Sequence, residues 1–145
     1  MSKKKIIGYT TWVFDLFHVG HLNILKKAKE NCDYLIVGVS TDELVYKYKK
    51  KYPVIPFDER IQIIEAIKYV DEVVPQISMD KFEAWKALKY NVLFHGDDWK
   101  GTDLYNEFQK KLGEAGVKVV FFPYTNGTSS TVIKEFLYSN MQKEK

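Results

Sequence analysis

The sequence predicts an α/β fold, in which a single domain forms a Rossmann-like open sheet of about five parallel strands with helices on both faces. Two observations support this prediction. Short runs rich in β-branched and aromatic residues are apolar almost throughout, which is typical of strands covered on both faces. Between these runs lie longer segments whose apolar residues recur at helical spacing. Such alternation produces parallel strands joined by right-handed helical crossovers.

The predicted elements follow one another along the whole chain. The strands are KKIIGYTTWVF at 4–14, DYLIVGVS at 33–40, DEVVP at 71–75, NVLFHG at 91–96 and VKVVFFP at 117–123. The helices are predicted at 21–32, 58–70, 80–89, 102–115 and 129–138. In the first helix Leu22, Leu25 and Ala28 share one face, with lysines opposite. Ligands of such sheets bind beyond the carboxyl ends of the strands, where the strand order reverses.

Composition favours one globular domain spanning residues 1–145, since 46% of the 145 residues are hydrophobic and 28% are charged. Gly8, a threonine pair and Asp15 interrupt the apolar N-terminal stretch, which is too short for a secretory signal or a membrane span. Cys32 is the only cysteine, so neither an internal disulfide nor a thiolate metal cluster can form. We expect a cytoplasmic protein without membrane insertion.

The net charge is modest, and only one cluster of lysines could indicate a function. A net charge of +3 is too small to indicate a nucleic-acid partner, and none is predicted. Lysines nevertheless crowd one short segment, at Lys47, Lys49, Lys50 and Lys51. This segment is either a solvated loop or part of an anion-binding site, and the charge pattern leaves both open.

Two histidines follow the first predicted strand, in the stretch FDLFHVGH at 14–21. A helix start offers free backbone N–H groups and a partial positive charge, which together bind anions. His18 and His21 are three residues apart on the predicted first turn, so both can donate to one phosphate. Gly20 leaves room for the ligand. Zinc ligation is the rival interpretation, but His95 is the only other histidine and no third ligand is suggested nearby.

Two further polar loops reach the same predicted edge of the sheet. Asp97 and Asp98 follow the fourth strand, where they either cap a helix or accept from the amino group of a base. Ser129, Ser130 and Thr131 follow the fifth strand and combine a helix-capping pattern with hydroxyl and N–H groups suited to phosphate. Three polar loops at one edge favour a binding site over separate structural roles.

Several of these stretches together resemble a known family. They are FDLFHVGH at 14–21, STDE at 40–43, DERIQIIEAIKYVDEVVP at 58–75, GDDWKG at 96–101 and NGTSST at 126–131. In this order they resemble the nucleotidyltransferases with an HxGH motif, the cytidylyltransferases among them, and most closely those that act on glycerol 3-phosphate. The likeness spans nearly the whole chain.

The resemblance implies an enzyme that transfers a cytidylyl group from CTP to an alcohol phosphate and releases pyrophosphate. It implies Mg²⁺ bound with the nucleotide and a homodimer. No metal-ligating residue of the protein is predicted. The implied catalytic residues are His18, His21, Lys49 and Arg60, with Lys47, Lys50 or Lys51 as alternatives to Lys49. The implied nucleotide-binding residues are Val13, Phe14, Asp15, Asp98, Thr125, Gly127, Ser129 and Ser130, with Asp98 reading the cytosine.

Two alternatives remain open at this point. The acceptor could be another phosphorylated alcohol, such as ethanolamine, choline or polyol phosphate, and ATP could replace CTP because related families share the histidine motif. Trp12 stands where the family generally has glycine, and its indole would fill part of the pocket. A nucleotide-binding module with weak or no turnover is therefore the second hypothesis.

Overall fold

The computed structural model describes residues 5–96, 102–123 and 130–143. Its strands are β1 (Ile7–Trp12), β2 (Tyr34–Ser40), β3 (Glu72–Gln76), β4 (Val92–Gly96) and β5 (Lys118–Phe122). Its helices are α1 (Val19–Glu30), α2 (Asp42–Lys49), α3 (Phe57–Glu65), α4 (Lys81–Leu88), α5 (Asp103–Glu114) and α6 (Ser130–Lys143). The predicted α/β fold is confirmed.

All five strands lie parallel in the order β3-β2-β1-β4-β5. The central strand β1 pairs along its whole length with β2, from Ile7 opposite Tyr34 to Trp12 opposite Val39. It pairs with β4 over only three residues, from Gly8 opposite Val92 to Thr10 opposite Phe94. The chain order reverses between these two neighbours, so a crevice opens beyond the end of β1.

Helices cover both faces of the sheet, which gives two apolar cores. On one face α1 and α3 pack against alternate residues of β2, among them Leu35, Val37 and Val39. On the other face α4 and α5 pack against Ile36 and Tyr9. Because successive strand residues point to opposite faces, burial on both sides explains why β2 is apolar throughout.

The largest differences from the predicted elements concern α2, α3 and the last helix, which extends to Lys143 rather than ending near residue 138. Helix α2 occupies Asp42–Lys49, for which no element is predicted, so the first two lysines of the crowded segment belong to a helix. Thr41 caps this helix, and Lys50 ends it in the left-handed conformation. The third helix ends at Glu65 rather than near residue 70, since a turn precedes β3.

No helix within the described ranges is both long enough and apolar enough to span a membrane.

Candidate active site

The two histidines hold each other and the helix start in a reciprocal cap. His18 is the N-cap of α1, and its Nδ1 accepts from the Gly20 backbone N–H at 3.0 Å. The Nδ1 atom of His21 accepts in turn from the backbone N–H of His18 at 3.3 Å. The ring centroids lie 4.0 Å apart, so the expectation that both rings share one side is confirmed.

This bonding pattern fixes the chemical form of both rings. An imidazole nitrogen that accepts an N–H is unprotonated, so the neutral ring carries its proton on Nε2. Burial and the neighbouring His18 lower the pKa of His21 to about 4, although the negative charge of Asp15 opposes this shift. Burial also lowers the pKa of His18. Near pH 7 the two histidines are therefore neutral donors, and neither Nε2–H group has a hydrogen-bond acceptor among the described residues.

The loop between β1 and α1 has an unusual backbone. Phe14 and Leu16 both have positive φ angles, 58° and 52°, which bulky side chains rarely adopt. Such conformations cost about 1–3 kcal/mol each and persist only where the surroundings enforce them. Phe14 is buried and contacts the ring of His21 edge-on, with centroids 5.4 Å apart, so this backbone shapes the histidine site directly.

Asp15 ties this loop to a distant segment. Its two carboxylate oxygens accept from the backbone N–H groups of Val54 and Ile55, at 2.8 and 3.0 Å. Its carboxylate also lies 3.5 Å from the Lys134 ammonium on α6. Asp15 therefore orders the loop, and its negative charge is compensated within the protein.

Arg60 stabilises the same loop by a hydrogen bond to its backbone. Its side chain is fully buried and donates to the carbonyl groups of Val13, Ser40 and Ile55 at 2.7–2.8 Å. It also forms an ion pair with Asp42, with the two atoms 2.6 Å apart. Four of its five N–H groups are thereby engaged with the protein. It does not line the cleft described below, so the structure gives Arg60 a positioning role, and its predicted contact with substrate remains a prediction.

A cleft of about 590 Å³ lies over the carboxyl ends of the strands. His18 and His21 line it, together with the predicted residues Val13, Phe14, Asp15 and Lys49. The predicted histidines and the predicted lysine therefore share one cavity. Its volume is within the range of small-molecule binding sites.

Four lysines of the described residues line this cleft: Lys49, Lys51, Lys81 and Lys134. Burial and the nearby charges of Lys134 and Lys51 lower the pKa of Lys49, and Asp15 partly opposes this effect. Positive charge is therefore concentrated in the cleft. Since Asp15 is the only carboxylate among the described lining residues, the cleft is suited to a multiply charged anion.

Lys81 and Lys134 were not predicted from the sequence. Lys134 lies one turn after Thr131 on α6, and the helical spacing from the predicted phosphate-binding serines could have indicated it. Lys81 opens α4 within MDKFEAWK, which looks like an ordinary amphipathic surface helix. In the structure it is 1% exposed and its ammonium donates to the Thr11 hydroxyl.

Trp12 forms part of the cleft wall. Its indole stacks on His95 with centroids 5.2 Å apart, and its Nε1 is buried without a hydrogen-bond partner among the described residues. Burial, more than the neighbouring Lys81, lowers the pKa of His95 to about 3, so this ring is neutral. Both side chains line a cleft that keeps its volume of about 590 Å³ beside the indole.

Several predicted residues cannot be placed. Asp98, Thr125, Gly127 and Ser129 lie outside the described residues. Ser130 is the first residue of α6, which places its backbone at a helix start beside the cleft-lining Thr131.

The described residues do not form a metal centre of their own. Within 5–96, 102–123 and 130–143, no three His, Cys, Asp or Glu side chains are grouped as metal ligands. Asp15 faces the cleft, but its oxygens already accept two backbone N–H groups. The described cleft residues therefore offer a divalent cation few oxygen ligands that the protein does not already use.

A parallel sheet whose switch-point crevice is lined by two histidines and by lysines has the features of a nucleotide-binding domain. The comparison with family models gives the class. Residues 10–136 match the model of the cytidylyltransferase-like family, and the chain belongs to that family.

The similar curated proteins fall into two groups. Glycerol-3-phosphate cytidylyltransferase of Bacillus subtilis (strain 168) is 41% identical over 140 residues, which cover 91% of this chain and 95% of the relative. The protein of the same name from Staphylococcus aureus is 37% identical, with coverage of 97% and 99%. FAD synthase of Pyrococcus horikoshii is 40% identical over 129 residues, which cover 85% of this chain and 84% of the relative.

Solved structures extend the likeness of the fold. The lipopolysaccharide core biosynthesis protein from Thermoplasma volcanium superposes with a TM-score of 0.71 at 28% identity, covering 86% of this chain and all of that one. Pantoate-beta-alanine ligase from Francisella tularensis superposes with a TM-score of 0.64 at 17% identity, and this chain covers 62% of its length. The second likeness concerns the fold alone.

Proposed function

We propose that this protein transfers a cytidylyl group from CTP to glycerol 3-phosphate, giving CDP-glycerol and pyrophosphate. The observation that carries the proposal is the reciprocal cap of His18 and His21, since both rings line a cleft that lysines also line. The two relatives named glycerol-3-phosphate cytidylyltransferase, which match over almost their full lengths, supply the choice of substrates.

The proposed reaction needs charge neutralisation more than proton transfer. An oxygen of the acceptor phosphate forms a bond to the α-phosphorus of CTP, while the bond between that phosphorus and the bridging oxygen of the pyrophosphate breaks. The nucleophile is already an anion, so no general base is required. The Nε2–H groups and the lysines stabilise charge that grows on the α-phosphate and the leaving group. Each cation about 4 Å from a unit charge contributes roughly 4 kcal/mol at an effective dielectric constant near 20.

We also propose that Mg²⁺ enters the cleft with the triphosphate. It would neutralise part of the phosphate charge, whereas the lysines and the two imidazoles orient the phosphates. Titration of CTP binding by calorimetry with and without Mg²⁺ tests this; equal affinity and equal turnover in both conditions would contradict it.

The FAD synthase relatives favour a second candidate, the transfer of an adenylyl group from ATP to FMN. The deciding experiment measures pyrophosphate release with each nucleotide and an acceptor panel of glycerol 3-phosphate, choline phosphate, ethanolamine phosphate and FMN. We expect CTP with glycerol 3-phosphate to give the highest kcat/KM. Faster pyrophosphate release with ATP and FMN would favour the second candidate. No pyrophosphate release with any pair of substrates would favour a binding module without turnover.

Trp12 is the residue to vary for the binding-module hypothesis. If its indole restricts the nucleotide, Trp12→Gly strengthens CTP binding and raises turnover. Equal CTP affinity and turnover in both proteins would show that the indole leaves the nucleotide pocket free. Calorimetry with CTP and the pyrophosphate assay separate these outcomes.

His18→Asn separates the capping role from the donor role. Asparagine caps helices well, so we expect little change in stability. It lacks the distal Nε2–H, so kcat should fall about 10²- to 10³-fold, the usual cost of one such donor. Thermal denaturation and steady-state kinetics measure the two effects, and Asn23→Ala, on the same helix but outside the cleft lining, is the control. A kcat within threefold of the wild type would contradict the donor role.

A homodimer and a cytoplasmic location also remain proposals, both drawn from the family likeness. Light scattering coupled to size-exclusion chromatography measures the mass in solution against 17.0 kDa for one chain. Fractionation of the source cells tests the location.

A further inference from the structure

Two aromatic rings line the cleft at the point where neighbouring strands stop pairing. β1 and β4 pair as far as Thr10 and Phe94, and both strands continue beyond that pair, to Trp12 and Gly96. The rings of Trp12 and His95 stack across the gap that follows, with centroids 5.2 Å apart and planes 24° from parallel. The indole therefore lies in the crevice in which sheets of this kind bind nucleotides.

Packing holds the indole of Trp12 in its place. The ring of His95 beneath it is buried and contacts Tyr105 edge-on, with centroids 4.8 Å apart. Tyr105 in turn contacts Phe108 edge-on at 5.9 Å. The indole Nε1 has no hydrogen-bond partner among the described residues, so ring packing rather than hydrogen bonding sets its position. A ring that rests on further buried rings forms a firm wall, because packed interiors yield little to added volume.

Trp12 lies on the same face of the sheet as the two histidines. Successive strand residues point to opposite faces, and Trp12 packs against the apolar core beneath α1, whereas Thr11 points the other way and bonds Lys81. Two residues after Trp12, Phe14 contacts the ring of His21. A nucleotide base is flat and uncharged, so this aromatic wall suits it better than the lysine-lined parts of the cleft.

Resting on the proposed function, we propose that Trp12 sets the size of the base that the cleft accepts. Its indole leaves room for the single ring of a pyrimidine and excludes the fused rings of a purine. The second ring of a purine would have to displace either the indole or the base itself, and both displacements cost packing. A small side chain at position 12 would leave the same space open.

Selection by size differs from recognition of the polar edge of a base. CTP and UTP each carry a single-ring base and differ in their hydrogen-bonding groups, whereas ATP carries two fused rings. A wall that acts by volume therefore affects the preference for CTP over ATP and leaves the preference for CTP over UTP as it is. Comparison of the three nucleotides separates the two kinds of selection.

The test compares the wild type with Trp12→Val, which removes the rings and keeps a side chain that strands favour. Trp12→Phe is the conservative variant, since it keeps an aromatic ring and loses only an N–H without a described partner. Trp85→Val is the matched control, because Trp85 lies on α4, stacks on Phe82 and is not part of the cleft lining. Thermal denaturation verifies that each variant is folded, and Trp12→Leu replaces Trp12→Val if the latter is not.

Calorimetry measures the dissociation constants of CTP, UTP and ATP, each with Mg²⁺, and kcat/KM with glycerol 3-phosphate is measured where turnover occurs. We expect the wild type to bind CTP at least tenfold more tightly than ATP. Trp12→Val should reduce this ratio at least tenfold, mainly through tighter ATP binding, and keep the ratio of CTP to UTP within threefold. In Trp12→Phe and Trp85→Val both ratios should stay within threefold of the wild type.

The binding measurements keep the two proposals distinguishable. An unchanged preference for CTP over ATP in Trp12→Val overturns the role of Trp12, and turnover with glycerol 3-phosphate then leaves the proposed function standing. Wild-type protein that binds ATP as tightly as CTP overturns it too, as does an equal change in the ratio of CTP to UTP. CTP binding without turnover, with the preference lost in Trp12→Val, contradicts the proposed function and supports the role of Trp12. No binding of any of the three nucleotides by the wild type overturns both proposals.

Discussion

Arg60 and Lys81 are both buried cations, and their surroundings differ sharply. Arg60 is 0% exposed and its guanidinium donates to three backbone carbonyls and the Asp42 carboxylate. Lys81 is 1% exposed, and among the described residues its ammonium donates only to the Thr11 hydroxyl. The fold thus engages four of the five N–H groups of Arg60 but only one N–H of the Lys81 ammonium in the part of the chain that the structure describes. Burial by itself therefore does not identify a ligand-binding residue; the number and charge of its partners do.

The largest expected effect comes from removing the satisfied cation. Arg60→Met leaves three carbonyls and the Asp42 carboxylate without their donor. One of these carbonyls, that of Val13, belongs to the loop that contains two residues with positive φ. We expect a loss of about 3–5 kcal/mol in the free energy of unfolding, the usual cost of breaking a buried charged pair. Urea denaturation measures it, with Lys86→Met as the control, and a loss below about 1 kcal/mol would erase the contrast with Lys81.

A smaller loss is expected when Arg60 keeps its place but loses its counter-ion. Asp42→Asn preserves the shape of the side chain and removes the charge of the group that pairs with Arg60 and accepts from the Phe57 N–H. We expect a decrease of about 1–3 kcal/mol in unfolding free energy, since hydrogen bonds to charged groups are worth more than neutral ones. The double variant with Arg60→Met should then cost less than the sum of the two single changes. Strict additivity would mean that the pair is not coupled.

Lys81→Met should have the opposite sign from Arg60→Met in the absence of ligand. An apolar side chain of similar length replaces an ammonium that lacks an anionic partner among the described residues, so stability should stay level or rise by about 1 kcal/mol. Thermal denaturation without substrates measures this. A loss of 3 kcal/mol or more would place Lys81 beside Arg60 as a structural cation.

The pH dependence of the stability difference between the wild type and Lys81→Met is the smallest expected effect. Burial lowers the pKa of Lys81 to about 7, against roughly 10.4 in the unfolded chain, so the unfolded state binds more protons between these values. The wild type therefore gains stability as pH rises from 7 towards 10, and below pH 7 the full cost of the buried charge remains. The advantage of Lys81→Met should be largest below pH 7 and shrink as pH rises. A difference that stays constant from pH 6 to 10 would contradict this.

The titratable groups around Lys81 leave that window clear. The pKa of His95 is lowered to about 3 by burial and by Lys81, so the ring stays neutral from pH 6 to 10. Burial raises the pKa of Tyr90, whose hydroxyl donates to the Lys81 carbonyl, above its ordinary value. Asp80 caps α4 beside Lys81 and accepts from the N–H groups of Phe82 and Glu83. The pH dependence of the stability difference between the wild type and Lys81→Met is thus expected to report on Lys81.

Strands were the most predictable part of this fold, since periodicity and composition act within each of them. Burial on both faces makes the β2 run apolar throughout, and its predicted position at 33–40 agrees with Tyr34–Ser40. Helix α2 was missed because its buried residues, Leu44 and Val45, are adjacent and the remainder is polar or aromatic. Two neighbouring apolar residues do not establish a helical period.

The site residues that lie in local motifs were predicted, whereas the roles of those that depend on distant contacts were not. His18, His21 and Lys49 were predicted because they lie in short motifs after strands, and the structure brings them to one cleft. Sequence alone could not distinguish Arg60 as a brace from Arg60 as a ligand, because that depends on carbonyls at positions 13, 40 and 55. The burial of Lys81 could not be predicted for a related reason, because it depends on contacts with distant segments, such as the Thr11 hydroxyl on β1, that no local pattern encodes.

The histidine motif is local in sequence, but the loop that holds it is not. Val13 is tied to Arg60, 47 positions downstream, and Asp15 to residues 39 and 40 positions away. A chain emerging from the ribosome would thus display both imidazoles well before their backbone is constrained, because contacts across such separations close late. We expect the ability to bind a nucleotide to appear only when β2 and α3 pack against the loop. A fragment that ends before residue 60 would contain the histidine motif but would lack the contacts that order its loop.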